Sequence, residues 1–171
     1  NLVSEQTVGD LWSRHILDSA QLYQHIPRGV ETLIDIGTGG GFPGLILAFL
    51  TTEGGGPAIT LIESNVRKAV FLREASRVCE IPVEIVNARA EKANILMAEV
   101  VTARACAPLS RLLPLIHCCL RPNGVGLLLK GASWRDELTV VKKDWTMNLV
   151  EVPSITDASG VILKLKGLKP S

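Results

Sequence analysis

The chain has 171 residues, 47% of them hydrophobic, and a formal net charge of +1 at pH 7. This length fits one domain, and the hydrophobic content favours a folded globular domain over a disordered chain. The near-neutral charge excludes binding to a polyanion through overall basicity, so such binding would need a local basic patch.

Several features of the sequence indicate a soluble, cytoplasmic protein without a metal site. The first residues lack the basic-then-apolar pattern of a signal peptide, and the longest strongly apolar stretch, residues 112–120, is too short to cross a bilayer. No two cysteines have C-x-x-C spacing, which disfavours a zinc site and a disulfide framework. We therefore expect buried, reduced thiols at Cys79, Cys106, Cys118 and Cys119.

Hydrophobic periodicity predicts helices and strands that alternate along the chain. The predicted helices cover residues 8–25, 45–50, 66–79 and 109–120, the last with a kink or a late start at Pro114. The predicted strands cover residues 32–36, 58–62, 83–86, 100–103 and 125–129, with a turn at 121–124 and two more strands within 145–166. The crossovers are long enough for parallel strands, which predicts an open, doubly wound α/β sheet.

Two of these helices carry apolar residues at helical spacing, and we expect these faces to be buried. In the helix over 8–25 the face consists of Leu11, Trp12, His15, Ile16, Ser19, Leu22 and Tyr23. In the helix over 66–79 it consists of Val66, Ala69, Val70, Leu72 and Val78. Trp12 and Trp134 are expected to fill the core, with stacking on a splayed base as the alternative.

A glycine-rich turn directly follows the first predicted strand. Asp35 ends that strand, and Gly37, Gly39 and Gly41 follow at alternate positions. Open α/β sheets bind ligands at the carboxyl ends of their strands, and glycine lets the backbone approach a ligand without a Cβ clash. Glu63 ends the second strand, where an acidic side chain can accept hydrogen bonds from both hydroxyls of an adenosine ribose.

Two cofactor classes use this layout. A nicotinamide dinucleotide needs G-x-G-x-x-G, and the glycines at 39, 41 and 44 match that pattern, although the match begins only at Gly39. S-adenosylmethionine carries an ammonium group instead of a pyrophosphate, and an acidic residue followed by G-x-G-x-G suits it. Because Asp35 and the glycines supply this pattern in full, they favour the methyl donor over the dinucleotide and over a glycine turn without a ligand.

Five segments in order along the chain resemble the bacterial ribosomal RNA small-subunit methyltransferase G family, also called glucose-inhibited division protein B. Residues 35–44, which end in Gly-Phe-Pro-Gly, are similar to the family's glycine loop. The other segments are Arg-His-Ile-Leu-Asp-Ser at 14–19, Glu-Ser-Asn at 63–65 with Lys68, Phe71 and Leu72, Arg-Ala-Glu at 89–91 with Arg-Ala at 104–105, and Lys-Gly at 130–131. Together they span about residues 1–138, most of the chain.

The resemblance implies a Rossmann-like class I methyltransferase fold, with a mostly parallel seven-stranded sheet, an antiparallel strand near the C-terminus and helices on both faces. It also implies methylation of ring nitrogen seven of a guanine in 16S ribosomal RNA, free or within a small-subunit precursor. Contacts to the methyl donor are implied for Gly37, Phe42, Ala90, Glu91 and Arg104. We expect a single domain over residues 1–171, with a helical cap at 1–28, a core at 29–171, and truncation of the additional N-terminal helices that relatives usually carry.

The acidic residues and Ala90 have separate expected roles in the donor site. Asp35 would hold the donor's ammonium through water or the loop backbone, or else cap the glycine turn. Glu63 would clamp the ribose, with a solvated surface charge as the alternative. The Ala90 backbone would read the adenine edge, and Glu91 would either join it or start the next helix.

Arg104, Lys130 and Arg14 are the candidates for positioning the substrate. Arg104 would grip the donor's carboxylate or an RNA phosphate, unless it forms a structural ion pair. Lys130 would contact a phosphate or a guanine edge, and His15 is expected to be a packed helix residue rather than an acid or base. A local basic surface would draw on Arg14, Arg67, Lys68, Arg73, Arg89 and Arg111, part of which would be solvated faces.

The expected reaction needs no side chain as acid or base, because N7 of guanine has an exposed lone pair and the donor activates its own methyl group. Methylation of exocyclic amines is disfavoured, because residues 104–108 read Arg-Ala-Cys-Ala-Pro instead of Asn/Asp-Pro-Pro-aromatic. Cys106 leaves open methylation of another base, at cytosine C5, through a cysteine nucleophile. A further alternative is a non-enzymatic RNA-binding ribosome assembly factor with a vestigial cofactor pocket.

Overall fold

A computed structural model of the chain describes residues 9–95 and 97–171, apart from the side chain of Glu53. The strands are β1 Thr32–Ile36, β2 Ala58–Ile62, β3 Glu84–Val86, β4 Ala98–Arg104, β5 Leu120–Lys130, β6 Trp145–Pro153 and β7 Val161–Pro170. They form one seven-stranded sheet in the order β3-β2-β1-β4-β5-β7-β6. The pairs among β1 to β5 are parallel, whereas β7 is antiparallel to both β5 and β6. This confirms the mostly parallel sheet with an antiparallel strand near the C-terminus.

Helices connect the strands. The α-helices of the described residues are α1 Asp18–Ala20, α2 Gly44–Thr51, α3 Val66–Val78, α4 Leu109–Cys119 and α5 Trp134–Val141. A π-helical segment, Trp12–Leu17, leads into α1, and 3-10 turns form at Tyr23–His25, Thr52–Gly54 and Ala90–Lys92. Within the described part of the chain, no helix is long and apolar enough to cross a membrane.

Alternate residues of the strands face two hydrophobic cores on opposite sides of the sheet. On one side, Ile34 and Ile36 of β1 belong to the core that contains the apolar residues of α4 and α5. On the other side, Leu33 belongs to the core formed with α2, α3 and Leu22 of the N-terminal segment. Because both faces are covered, the central strands are mostly apolar, with Asp35 and Thr102 as buried exceptions, which explains why they were recognisable in the sequence.

The sheet register brings the glycine turn next to the end of β2. Ile36, the last residue of β1, pairs with Ile62, the last residue of β2. The N–H groups of Gly37 and Thr38 then both donate to the Ile62 carbonyl, at 2.9 and 3.2 Å. The turn and Glu63 therefore lie at one edge of the sheet, as the order of the motifs predicted.

The predicted buried faces of two helices are partly wrong. In the N-terminal segment, Leu11, Trp12 and Tyr23 are exposed, Trp12 to 69%, so Trp12 does not fill the core. The π-helical turn and the break before Tyr23–His25 shift residues out of the 3.6-residue period on which the prediction depended. In α3 only Ala69 and Leu72 are buried, and the exposed residues of the predicted face are Val66, Val70 and Val78. The part of the predicted first helix before residue 9 lies outside the described residues.

Three other local predictions need correction. The predicted turn at 121–124 lies inside β5 as a bulge, because Ala98 and Val100 pair with Leu120 and Val125. Helix α5 was not predicted, although Trp134, expected in the core, is buried there at 4% exposure. All four cysteines are free, but three of them are exposed, namely Cys79, Cys106 and Cys118. Cys79 directly follows α3, Cys106 lies on the loop after β4, and Cys118 lies on α4.

Candidate functional site

Three glycines of the turn after β1 adopt left-handed backbone conformations. Their φ angles are 66° at Gly37, 60° at Gly39 and 96° at Gly41, a region that disfavours residues with a Cβ. At Gly37 the restriction is also steric, since an added Cβ would lie 2.4 Å from Sγ of Cys106. The turn thus requires glycine for its shape, and at Gly37 also for its contact with the loop after β4.

Glu63 is 7% exposed and fixes the conformation of this turn. Its Oε2 accepts a hydrogen bond from Gly39 N–H at 2.9 Å, and its Oε1 accepts one from Asn65 N–H at 2.7 Å. The side chain of Asn87, beyond β3, donates to the Glu63 carbonyl at 2.7 Å. Glu63 is therefore a buried carboxylate beside the glycine turn and not a solvated surface charge. Its contact with a ribose stays a prediction.

Asp35 is fully buried beneath the turn. Its Oδ2 accepts a hydrogen bond from Gly44 N–H at 3.0 Å, at the start of α2, and its Oδ1 accepts one from the Thr102 hydroxyl at 2.7 Å. Burial raises the pKa of the carboxyl group to about 6, although these hydrogen bonds favour the ionised form. The carboxylate joins β1, α2 and β4, so any effect on a ligand would pass through the turn. The proposed role toward an ammonium group stays a prediction.

A cleft of about 460 Å³ opens at the carboxyl ends of β1 and β2. Gly37, Ala90 and Glu91 line it, and the last two come from the 3-10 turn after β3. The structure thus brings three of the predicted donor contacts into one cavity. Its wall also includes residues that the prediction did not place there, namely Ser64, Cys106, Ala107, Pro114 and Leu115. We call this cavity the donor cleft.

Arg104 ends β4 and binds the N-terminal segment. Its Nη1 donates to the Arg14 carbonyl at 2.8 Å and to Oδ2 of Asp18 at 3.1 Å, and its Nη2 contacts Nδ1 of His15. The guanidinium also lies over the Phe42 ring, 5.5 Å from the centroid. Of the roles considered for Arg104, the structural ion pair is thus present. Contact with the donor stays a prediction.

His15 is 9% exposed and packs beside the Phe42 ring, with the ring centroids 5.2 Å apart. Burial and the nearby Arg104 guanidinium lower the pKa of His15 below its usual value. A neutral imidazole with an acceptor at Nδ1 agrees with its contact to Arg104. The expectation of a packed helix residue is confirmed.

Lys130 ends β5 and is 9% exposed at its side chain. Its Nζ lies 2.7 Å from Oε2 of Glu137 and donates to the Ala107 carbonyl at 3.0 Å. Oε2 of Glu137 also accepts the first N–H of α4, from Leu109, at 2.8 Å. Burial opposes ionisation of Glu137, but the hydrogen bonds from Lys130, Leu109 and Ser133 outweigh it and lower its pKa. Lys130 therefore holds the loop after β4 in place, and its contact with RNA stays a prediction.

The predicted basic residues lie mostly on the surface. Arg89 and Arg111 line the mouth of the donor cleft, and Arg14 is exposed, with Asp10 3.9 Å away. Arg67 and Arg73 are also exposed on α3, whereas Lys68 is half-buried. Two of the six predicted basic residues, Arg89 and Arg111, thus lie at the cleft, and the other four do not line it.

A family model described as rRNA small subunit methyltransferase G, GidB, matches residues 1–165 of the chain. The ribosomal RNA small subunit methyltransferase G of Rhodospirillum centenum is 49% identical over 170 residues, which are 99% of this chain and 77% of that protein. The protein of the same name from Paramagnetospirillum magneticum is 49% identical over 166 residues, 97% of this chain and 79% of that protein.

The chain belongs to the methyltransferase G family. Its fold is also that of solved methyltransferases at low sequence identity. The ribosomal protein L11 methylase of Lactobacillus delbrueckii aligns with a TM-score of 0.67 and 14% identity, over 89% of this chain and 78% of that one. M. jannaschii TYW2, solved in complex with AdoMet, aligns with a TM-score of 0.67 and 15% identity, over 94% of this chain and 78% of that one. The predicted class I methyltransferase fold is confirmed.

The sequence did not predict the partners that hold three of the predicted site residues of this methyltransferase G chain in place. Thr102 and Glu137 complete the hydrogen bonding of Asp35 and Lys130, and Asp18 pairs with Arg104. Thr102 was the one polar residue within a predicted apolar strand, which is a signal that it needs a partner. Glu137 gave no such signal, because it lies on the helix that was not predicted.

Proposed function

We propose that this member of the methyltransferase G family transfers the methyl group of S-adenosylmethionine to ring nitrogen seven of a guanine in 16S ribosomal RNA. The observation that supports this most directly is the donor cleft, which lies between the glycine turn after β1 and the turn at Ala90–Lys92. Its volume of about 460 Å³ falls within the roughly 300–1,000 Å³ typical of small-molecule sites.

The residues that line the cleft and the neighbouring glycine turn fit an adenosine-based donor, although Gly39, Gly41, Phe42 and Glu63 do not themselves line the cleft. An added Cβ at Gly39 would have only the Gly37 carbonyl oxygen within 4 Å, at 3.9 Å, so the backbone there is open to a ligand. A carboxylate has about four lone-pair sites, so the Glu63 oxygens that bind the turn can also accept from ribose hydroxyls. Gly37, Gly39, Gly41 and Phe42 would hold the amino-acid and ribose parts of the donor, and Ala90 and Glu91 the adenine.

In this proposal the residues of the chain position the guanine that accepts the methyl group, and none of them acts as a catalytic base. When bound, the donor supplies a methyl group on a positively charged sulfur, and N7 of guanine supplies the lone pair. The protein then needs to hold N7 in line with that methyl group and to exclude water. Arg89 and Arg111 at the cleft mouth, with Arg14 near Arg104, supply the local positive charge for the RNA backbone. In this proposal residues 29–171 form the catalytic core and residues 1–28 a helical cap.

Isothermal titration with S-adenosylmethionine and with NAD tests the donor assignment. We expect binding of the first alone, and a Gly39→Val variant should lose it, because the branched side chain would occupy the space beside the turn. Gly29→Val is the matched control, since Gly29 also has a left-handed φ, 76°, with open space around it, but lies before β1. Binding of NAD alone, or wild-type affinity in Gly39→Val, would contradict the assignment.

Mapping of methylated nucleotides in ribosomal RNA from cells with and without the protein tests the substrate. The expected result is one 7-methylguanine in 16S RNA that disappears without the protein. A Cys106→Ala variant should still methylate, because a lone-pair nucleophile needs no thiol. If this variant binds the donor but loses all methylation, and the lost product is a 5-methylcytosine, the cysteine alternative is correct. No change in any RNA modification would favour the assembly-factor alternative.

A further inference from the structure

A second cavity, of about 190 Å³, lies beside the donor cleft at the carboxyl ends of β4 and β5. Ala105 lines this side cavity, and the next two residues, Cys106 and Ala107, line the donor cleft. The opposite wall belongs to the loop between β6 and β7, through Ser154, Asp157 and Gly160. One short loop therefore borders both cavities, so a group in the side cavity would lie close to the donor cleft.

The loop between β6 and β7 is fixed by the N-terminal segment. Gln21 is 4% exposed, and its Oε1 accepts from Ile155 N–H at 3.0 Å while its Nε2 donates to Ser154 Oγ at 3.1 Å. Oδ1 of Asp18 accepts from the Thr156 hydroxyl at 2.6 Å, and Oδ2 of the same carboxylate accepts from Arg104. Asp18 thus holds both walls of the side cavity, the end of β4 and the loop.

The charges of the side cavity do not suit a phosphate. It is lined by two cations, Arg104 and Lys130, and three carboxylates, Asp18, Glu137 and Asp157. Arg104 pairs with Asp18 at 3.1 Å and Lys130 with Glu137 at 2.7 Å. Within the described residues, Asp157 forms no ion pair, so the residues that line the side cavity carry one net negative charge, and Arg14 approaches Asp157 only from the neighbouring pocket. An RNA phosphate would be repelled there, whereas a neutral base with donor groups would not.

Asp157 presents one free carboxylate oxygen. Its Oδ1 accepts from the backbone N–H and the hydroxyl of Ser159, at 2.8 and 2.7 Å. These hydrogen bonds lower the pKa of Asp157, so it is ionised at neutral pH. Within the described part of the chain no hydrogen bond to its Oδ2 is formed, although the Gly160 N–H and the Arg14 guanidinium lie close enough to the carboxylate to help lower its pKa. Oδ2 is thus the oxygen that can accept from a ligand.

We infer that the side cavity receives the target guanine and that Asp157 accepts hydrogen bonds from its N1–H and exocyclic amino groups. This rests on the proposed function. N7 and the amino edge lie on opposite sides of the purine, so N7 directed at Ala105 and the donor directs the amino edge at the loop that carries Asp157. Adenine, which has an acceptor at N1, would place a lone pair against the carboxylate, so the contact selects guanine.

The negative charge of Asp157 also favours the methyl transfer itself. Guanine becomes cationic as N7 is methylated, and negative charge that is already in place stabilises the developing positive charge. Asp157 is the unpaired carboxylate of the side cavity, so it contributes both to recognition of the base and to stabilisation of the product. A structural role alone would give neither effect.

Removal of one amino group from the RNA base distinguishes recognition of the guanine by Asp157 from a merely structural role of this residue. The experiment compares kcat/KM for two RNA substrates, one with guanine and one with inosine at the target, since inosine keeps N1–H and N7 but lacks the amino group. For the wild-type protein we expect a preference for guanine of about tenfold to a hundredfold, the range of one lost base contact. Asp157→Asn should lower the rate on guanine and reduce this preference to about twofold or less. Asn keeps the acceptor for Ser159 and replaces Oδ2 with a donor.

Asp144→Asn is the matched control. Asp144 is an exposed carboxylate that directly precedes β6, at the end of the strand opposite the loop that carries Asp157. This variant should keep the wild-type preference, and donor affinity should be unchanged in both variants. A loop that is merely loosened would slow both RNAs alike. A wild-type preference in Asp157→Asn therefore overturns the inference and leaves the proposed function intact. Absence of N7 methylation by the wild-type protein overturns both.

Discussion

Asp35 and Glu63 show how two acidic residues at neighbouring strand ends take different roles. Asp35 has no exposed surface, and its two oxygens bind the start of α2 and Thr102. Glu63 binds the glycine turn through Gly39, and its chain neighbours Ile62 and Ser64 line the donor cleft. Asp35 therefore shapes the turn from beneath, whereas Glu63 fixes its outer part, and the contact of Glu63 with a ribose stays a prediction.

The raised pKa of Asp35 predicts a pH-dependent stability. Because the folded-state value of about 6 exceeds the ordinary 3.8, its favourable contribution is complete below about pH 4 and is lost as the pH rises through 6. Asp35→Asn does not titrate, and its amide can accept from Gly44 and donate to Thr102. Between about pH 4 and 7, the free energy of unfolding of the wild type should fall by about 2 kcal/mol relative to this variant. Urea denaturation at several pH values measures this difference, and parallel curves would refute it.

At the scale of elements, the loop after β4 is held by β5 and α5 at one end and by the N-terminal segment at the other. Lys130 at the end of β5 and Glu137 on α5 together bind the Ala107 carbonyl and the first N–H of α4. Arg104, at the end of β4, is held by the N-terminal segment. The wall between the donor cleft and the side cavity is thus fixed from both ends, which suits a site that must align two substrates.

Removal of Lys130 should separate its structural contribution from its predicted RNA contact. Lys130→Ala leaves the Glu137 carboxylate, 20% exposed, without its cation, so the free energy of unfolding should drop by about 2 kcal/mol. Donor binding should be spared, and RNA methylation should weaken. Urea denaturation, calorimetry and a methylation assay measure these effects, with the exposed Lys142→Ala as control. Loss of donor binding in a folded Lys130→Ala protein would assign Lys130 to the donor site instead.

At the scale of the whole molecule, a net charge of +1 means that RNA binding depends on where the basic residues lie. Arg89 and Arg111 flank the donor cleft, whereas Arg77 on α3 is exposed but paired with Glu74 at 2.6 Å. Only unpaired cations at the mouth of the cleft can replace counterions on an RNA backbone that enters it.

The salt dependence of RNA binding tests this distribution. The double variant Arg89→Ala/Arg111→Ala should reduce the slope of log K against log salt concentration by about 1 to 2, as expected for two lost phosphate contacts. Arg77→Ala should leave the slope unchanged. Filter binding or fluorescence anisotropy at several salt concentrations gives the slopes. Equal slopes for the wild type and the double variant would place the RNA elsewhere.

Sequence alone predicted where most of the strands lie along the chain, the glycine turn and the position of Glu63 at the end of the second strand. These features are local: strands buried on both faces are continuous apolar runs, and a turn with left-handed residues requires glycine at fixed places. The family motifs extended the prediction to Ala90 and Glu91, which the structure places in the same cleft as Gly37.

Only the tertiary structure decided which side chains are buried and which charges are paired. Trp12 and Val66 satisfied a helical period and are exposed, because packing depends on what lies opposite a helix and not on its own pattern. Arg104 and Asp18 are 86 residues apart in the chain, and Asp18 and Thr156 are 138 apart. No local pattern encodes such contacts, since they exist only where the fold brings distant strand ends, loops and the N-terminal segment to one edge of the sheet.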